Sequence, residues 1–228
     1  MNGRFYAECG LCLQVRVDCK HSPNVAILGS LGTGTRPSAT GNALKHEAQL
    51  QILLTQDPAR MKILRMVRDL NLPDCWVGAG FVRCLVWDHL HLRKLSALPE
   101  DIDVIWFDPA RVSPETDSSL ESELSSRCCG LNWSVKNQAR MQLRNADNPY
   151  RSAADAMTCW PETATAVGVR LDHNDEVEVS APLGLEDLFS LVVRPTYRFR
   201  TEKHSIFLDR IRSKGWREIW PELICVLE

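Results

Sequence analysis

No stretch of this 228-residue chain approaches the roughly 20 consecutive apolar residues that a membrane-spanning helix requires, which sets membrane-embedded classes aside. Charge of one sign is lacking too. Lys and Arg number 27 against 29 Asp and Glu, a formal net charge of −2, so no overall basic field argues for bulk nucleic-acid binding, although a local basic groove is compatible with it. The opening MNGRFYAECGLCLQVRVDCK has polar breaks where a secretory signal needs a continuous apolar stretch. The nine cysteines are odd in number and run from Cys9 to Cys225 without a repeating frame, which favours reduced thiols in a cytoplasmic protein over a disulfide scaffold. GSLGTGT lacks the lysine of a phosphate-binding P-loop. Neither a G-x-S-x-G elbow nor a papain-like cysteine context supports a hydrolase. His89 and His91 stand two apart on a predicted helix and so cannot form an i, i+4 metal pair. No internal repeat is present.

What is there is ordinary globular composition, 44% hydrophobic and 25% charged. Residues 29–42, GSLGTGTRPSATGN, have linker composition, too poor in large side chains to build a core. The chain therefore divides into a flexible extension over 1–45 and one folded domain over 46–228. Cys9, Cys12, Cys19 and His21 in that extension match no common zinc finger, and incidental thiols are the preferred reading. Within the domain, helical spacing of Met61, Leu64 and Val67 predicts a helix over 58–70, opened by Pro58. CWVGAG (75–80) reads as a strand running into glycines, FVRCLVWDHLHL (81–92) as a helix, and IDVIWF as the next strand. Ser113 and Pro114 open a helix over 114–126, NWSVKNQ (132–138) alternates as a strand, and Ser152 with Asp155 forms a capping-box pattern ahead of ADAMTCW. Residues 164–171 and 176–180 predict a hairpin around DHND, and GLEDLFSLVV and SIFLDRIRSK predict further helix. Trp76, Trp87, Trp106 and Trp133 fall in these elements as core. Such alternation implies an α+β mixed sheet flanked by helices.

Two features carry chemistry. A strand ending in Gly78-Ala79-Gly80 and turning into a helix lets backbone approach a phosphate, where the helix N-terminus offers free N–H groups; Arg83, one turn on, could add a charge-assisted contact. A tight turn without a ligand gives the same residues. Asp101 and Asp103, two apart on a strand, point to one side and converge. Two such charges raise each other's pKa unless a cation sits between them, and Mg²⁺ is commonly held by one or two carboxylates together with substrate phosphates. Paired acids beside a phosphate-binding turn fit phosphoryl or nucleotidyl transfer with a two-metal site.

VGAGFVRCLVWDHL followed by EDIDV resembles the nucleotidyltransferase superfamily of the DNA-polymerase-beta type. More closely, LPDCWVGAGFVR, DIDVIWFD, WSVKNQARM, WPETATAVGVRL and APLGLEDLFSLVVRP resemble a largely uncharacterised family of predicted bacterial nucleotidyltransferases, over nearly everything from about Gln49 onward. The resemblance implies a nucleotidyltransferase-like domain in which Gly80 approaches the triphosphate of an NTP, Gly78 shapes the turn, and Asp101 and Asp103 hold the metals. It implies attack by an acceptor hydroxyl on the α-phosphate, the acceptor being a small molecule, a protein or an RNA. Ala79 departs from the glycine or serine of many members, and no third carboxylate is evident; Asn137, Glu162 and Glu178 are the candidates. Lys136 and Arg140, at the junction in WSVKNQARM, are further candidate nucleotide contacts, with surface charge as the alternative.

Two rival readings remain. One is a dinucleotide-binding Rossmann unit, against which stand Arg83 at the third glycine position and acids at the front of the second strand. The other is a non-catalytic nucleotide- or RNA-binding module.

Overall fold

The structure, a computed structural model, describes residues 39–228; the Cys9, Cys12, Cys19 and His21 grouping and most of the linker-like stretch lie outside the described residues. The chain begins with α1 (Ala39–Thr55) and α2 (Pro58–Arg68), followed by β1 (Trp76–Gly78), α3 (Gly80–Leu90) and β2 (Asp101–Trp106). Next come α4 (Pro114–Arg127), β3 (Asn132–Asn137), α5 (Gln138–Asn145) and α6 (Ala153–Thr158). The hairpin β4 (Gly168–Leu171) and β5 (Val177–Ser180) leads to α7 (Glu186–Phe189) and β6 (Val192–Val193). The chain closes with α8 (Tyr197–Arg200), α9 (His204–Lys214), α10 (Trp216–Ile219) and β7 (Ile224–Cys225).

Five strands form a mixed sheet in the order β3-β2-β1-β4-β5. β1 runs antiparallel to both β2 and β4, while β2 and β3 run parallel. The mixed sheet with its flanking helices is the α+β architecture expected from the alternation of elements. Because β1 and β2 are antiparallel, α3 is no Rossmann crossover, which joins parallel strands.

The two faces of the sheet differ. Ile102, Val104 and Trp106 of β2 are fully buried in the main core with Val77, Val135 and Val169, under Leu50 and Leu54 of α1, Leu64 of α2, Phe81 of α3 and Leu124 of α4. On the opposite face Ile105 packs with Trp76, Ala153 and Met157, so α6 covers only part of it. Asp101 and Asp103 occupy the uncovered front of that face.

Local chemistry fixes the element ends. Asp57 caps α2 by accepting from Arg60 N at 2.9 Å, Ser113 accepts from Glu115 N, and Ser152 accepts from Asp155 N at 3.0 Å. The outer edge of β3 is closed by acids from α4. Glu121 accepts from Val135 N at 2.9 Å, and Asp117 accepts from Asn137 N at 3.0 Å.

Three expectations shift. α1 starts at Ala39, so the last four residues of the linker-like stretch are helical, drawn in by a helix that buries Leu50 and Leu54 completely. The expected helix over 184–193 is a single turn, because Val192 and Val193 pair in parallel with Ile224 and Cys225. The strand expected over 164–171 begins only at Gly168, after a 3₁₀ turn at Thr163–Thr165.

Candidate active site

β1 delivers its glycines to the front of β2 because the two strands are antiparallel. Val77 pairs with Val104, and the register carried one residue further sets Gly78 alongside Asp103. Gly78 is tightly enclosed: a Cβ there would lie 2.9 Å from Val167 O and 3.1 Å from the Trp160 ring. At Gly80 a Cβ would meet the Pro99 side chain at 3.1 Å. Gly78 is thus required by packing against backbone, and Gly80 fits closely where α3's N-terminus meets the loop before β2. Ala79 between them has φ 52° and ψ −122°, a conformation that strains any residue with a Cβ, and it caps α3 without a side-chain hydrogen bond.

Asp101 is exposed and Asp103 partly buried. The Asp103 carboxyl is pushed up to about 6, chiefly by burial and then by the Asp101 charge; Arg83, the Ser134 hydroxyl and Arg210 act in the opposite direction. In the parallel pairing of β2 with β3, Asp103 stands beside Ser134, so a serine occupies the neighbouring place on this face. Among the described residues no three His, Cys, Asp or Glu side chains converge as a metal site. Asn137, offered in place of a third carboxylate, and the two acidic candidates are all engaged elsewhere. Asn137 is fully buried and donates to Asp108 O and Arg111 O at 2.8 and 2.7 Å. Glu178 pairs with Arg170 at 2.5 Å on the hairpin. Glu162 is fully buried, with Oε1 accepting from Arg210 Nε at 2.6 Å and Oε2 without a partner among the described residues.

Two cavities open at this front. The larger, about 530 Å³, is lined by Ala79, Gly80, Arg83, Asp101 and Asp103, with Arg210, Lys214 and Trp216 from the C-terminal helices. The smaller, about 230 Å³, is lined by Ser134, Lys136, Gln138, Met141, Asn145 and Trp160, among others. Ala79, Asp103 and Arg210 line both.

The basic residues expected near a nucleotide fall into different roles. Arg83 is 7% exposed, donates to Thr165 Oγ1 at 2.9 Å and stacks against Trp87 and Trp216 at 5.3 and 4.5 Å. Burial lowers its pKa, and its Nε lacks a partner among the described residues. Lys136 reaches the smaller cavity but pairs with Glu121 at 2.5 Å. Arg140 points away, to Asp117, donating through Nε at 2.9 Å. His91 binds Trp87 O at 2.8 Å and accepts from Glu222 N at 3.2 Å, a structural position. Arg210 and Trp216 were not singled out from sequence. They come from helices far along the chain, and no local motif marks them.

A strand-turn-helix unit thus faces paired acids beside two adjoining cavities. The chain belongs to a nucleotidyltransferase family, whose model, described as "Nucleotidyltransferase", matches residues 65–225. A solved NMR structure described as a CCA-adding enzyme head domain is 36% identical, with a TM-score of 0.71, covering 78% of this chain and 95% of the other. A CCA-adding enzyme in complex with CTP is 15% identical with a TM-score of 0.44, covering 74% of this chain and 47% of the other. The Thermotoga maritima CCA-adding enzyme complexed with tRNA is 17% identical with a TM-score of 0.42, covering 67% and 36%. No curated protein matches the chain. Family membership and the first of these structures establish a transferase that uses nucleoside triphosphates. No helix among the described residues is long and apolar enough to cross a membrane.

Proposed function

We propose that the chain transfers a nucleoside monophosphate from an NTP to an acceptor hydroxyl, in the presence of Mg²⁺, at the front of β2. The observation that carries this reading is the placement of Asp101 and Asp103 on the open face of that strand, beside the turn that starts α3. The donor set suits a hard divalent cation. Two carboxylates supply oxygen ligands, and the Asp103 carboxyl, raised chiefly by burial and then by the Asp101 charge, is a group whose ionised form a bound cation would favour. When bound, Mg²⁺ would neutralise phosphate charge and align the attacking and leaving oxygens.

The chain's own residues divide the remaining work. The larger cavity takes the NTP. Its backbone donors at the N-terminus of α3 and its cations Arg83, Arg210 and Lys214 face the triphosphate. The smaller cavity, with Ser134, Gln138, Asn145 and the Trp160 ring, takes the acceptor. Asp103, on the wall common to both, would hold the cation where the acceptor hydroxyl and the α-phosphate come within reach of each other. The acceptor oxygen forms a bond to the α-phosphorus, the α–β phosphoanhydride breaks, and pyrophosphate leaves with the bonding electrons. One proton is released.

The likeness to a CCA-adding head domain makes an RNA 3′ hydroxyl the first acceptor to try. The full chain is incubated with Mg²⁺, each of the four α-³²P-labelled NTPs and an RNA oligonucleotide with a free 3′ end. Label appearing in the oligonucleotide, with stoichiometric pyrophosphate, is the expected result. Hydride-transfer chemistry, or nucleotide binding without pyrophosphate from any NTP, would overturn it.

A further inference from the structure

The site has two acids on β2 and a serine at the neighbouring place on β3. A cation, Arg210, lines both cavities together with Asp103. We propose that Arg210 of α9 completes the reaction site by donating to a non-bridging oxygen of the attacked α-phosphate, and that Glu162 is its positioning residue. This rests on the nucleotidyl-transfer reading above.

Three observations support it. Among the described residues, Arg210 is the only charged residue besides Asp103 lining both cavities, so it stands where donor and acceptor would meet. One donor is fixed: Nε is bound to Glu162 Oε1 at 2.6 Å, and the guanidinium lies 5.5 Å from the Trp216 ring. The Nη groups make no hydrogen bond among the described residues, and the side chain is 30% exposed. A guanidinium has five N–H donors, so four remain for an anion.

The surroundings of the guanidinium point the same way. Arg83 and Arg210 both stack on Trp216, and the buried carboxylate beside them is Glu162, whose Oε2 has no partner among the described residues. Both guanidiniums also act on Asp103, which lines the same cavity. Of the two, Arg83 is 7% exposed and held by Thr165 and the Trp87 and Trp216 rings, so Arg210 is the more accessible to a substrate. Donors preset for charge that grows in the transition state act on turnover more than on ground-state binding.

The test measures pyrophosphate release from an NTP with Mg²⁺ and the RNA probe for the wild type and for Arg210→Ala, Arg210→Lys, Glu162→Gln and the double variant Glu162→Gln/Arg210→Ala. Arg210→Ala should lower kcat about 10²-fold while KM for NTP moves less than about threefold. Added guanidinium at tens of millimolar should recover at least about tenfold in Arg210→Ala, because the small cation can occupy the vacated place. Glu162→Gln should lower kcat about tenfold without such rescue. Arg210→Ala leaves Glu162 buried without its partner and can unfold for that reason. The double variant removes both charges, should remain folded by thermal melting, and should be as inactive as Arg210→Ala. Wild-type kcat in a folded Arg210 variant, or a loss that guanidinium does not restore, overturns the assignment to Arg210. No pyrophosphate from the wild type with any NTP overturns the underlying reading instead.

Discussion

Asp117 and Glu162 are both buried carboxylates that hold an arginine, and they hold it differently. Asp117, 1% exposed, uses both oxygens: it accepts from Trp106 Nε1 at 2.8 Å, from Asn137 N at 3.0 Å and from Arg140 Nε at 2.9 Å. Those bonds tie β2, β3, α4 and α5 into one block behind the site. Glu162, fully buried, uses Oε1 alone and leaves Oε2 unpartnered among the described residues, while its arginine faces a cavity. A fully satisfied network stiffens a fold, whereas a partly satisfied one at a cavity retains binding capacity for something else. The first belongs to the frame and the second to the chemistry.

Substitutions separate frame from chemistry by what they change. The largest effect is expected at the acids: Asp103→Asn should lower nucleotidyl transfer about 10³-fold or more, read as pyrophosphate release, with the circular dichroism spectrum unchanged. On the frame side, Asp117→Ala leaves the Arg140 charge and two N–H donors without their partner. It should cost about 3–5 kcal/mol, seen as a lower urea midpoint.

Asp103 itself should oppose stability. A carboxyl whose folded pKa of about 6 lies above its ordinary 3.8 binds more protons folded than unfolded, so it favours the fold at low pH. That contribution is lost as pH rises from about 4 through 6. Metal-free Asp103→Asn should therefore be more stable than wild type by roughly 1–2 kcal/mol at pH 7.5, a gain that fades near pH 4. Equal melting temperatures at both pH values would remove the charge conflict from the account. The smallest effect is at the turn: Ala79→Gly relieves the positive φ and should stabilise by about 1 kcal/mol in denaturant titration, net of the greater unfolded-state freedom of glycine.

Much of this was legible in the sequence because its causes are local. The alternation in DIDVIW places Ile102, Val104 and Trp106 in the core and both acids on the other face, and the structure has them so. The caps at Ser113 and Ser152 are likewise local chemistry, and they sit at the starts of α4 and α6. Pairing was harder to read. Nothing around Gly78 states that β1 lies antiparallel to β2, yet that pairing sets the glycine turn beside Asp103. Lys136 and Arg140 looked alike as exposed cations, but α4 supplies Glu121 and Asp117 to hold them, and α4 is distant in sequence from the glycine turn. Arg210 escaped notice because its importance depends on Glu162, 48 residues earlier in the chain.

A crystal structure with a non-hydrolysable NTP and Mn²⁺ tests the central claim most directly, through anomalous scattering. The account predicts metal signal bridging Asp101 and Asp103, the triphosphate in the larger cavity and an Nη of Arg210 within hydrogen-bond distance of the α-phosphate. Nucleotide bound away from β2, or metal that touches neither aspartate, would contradict it.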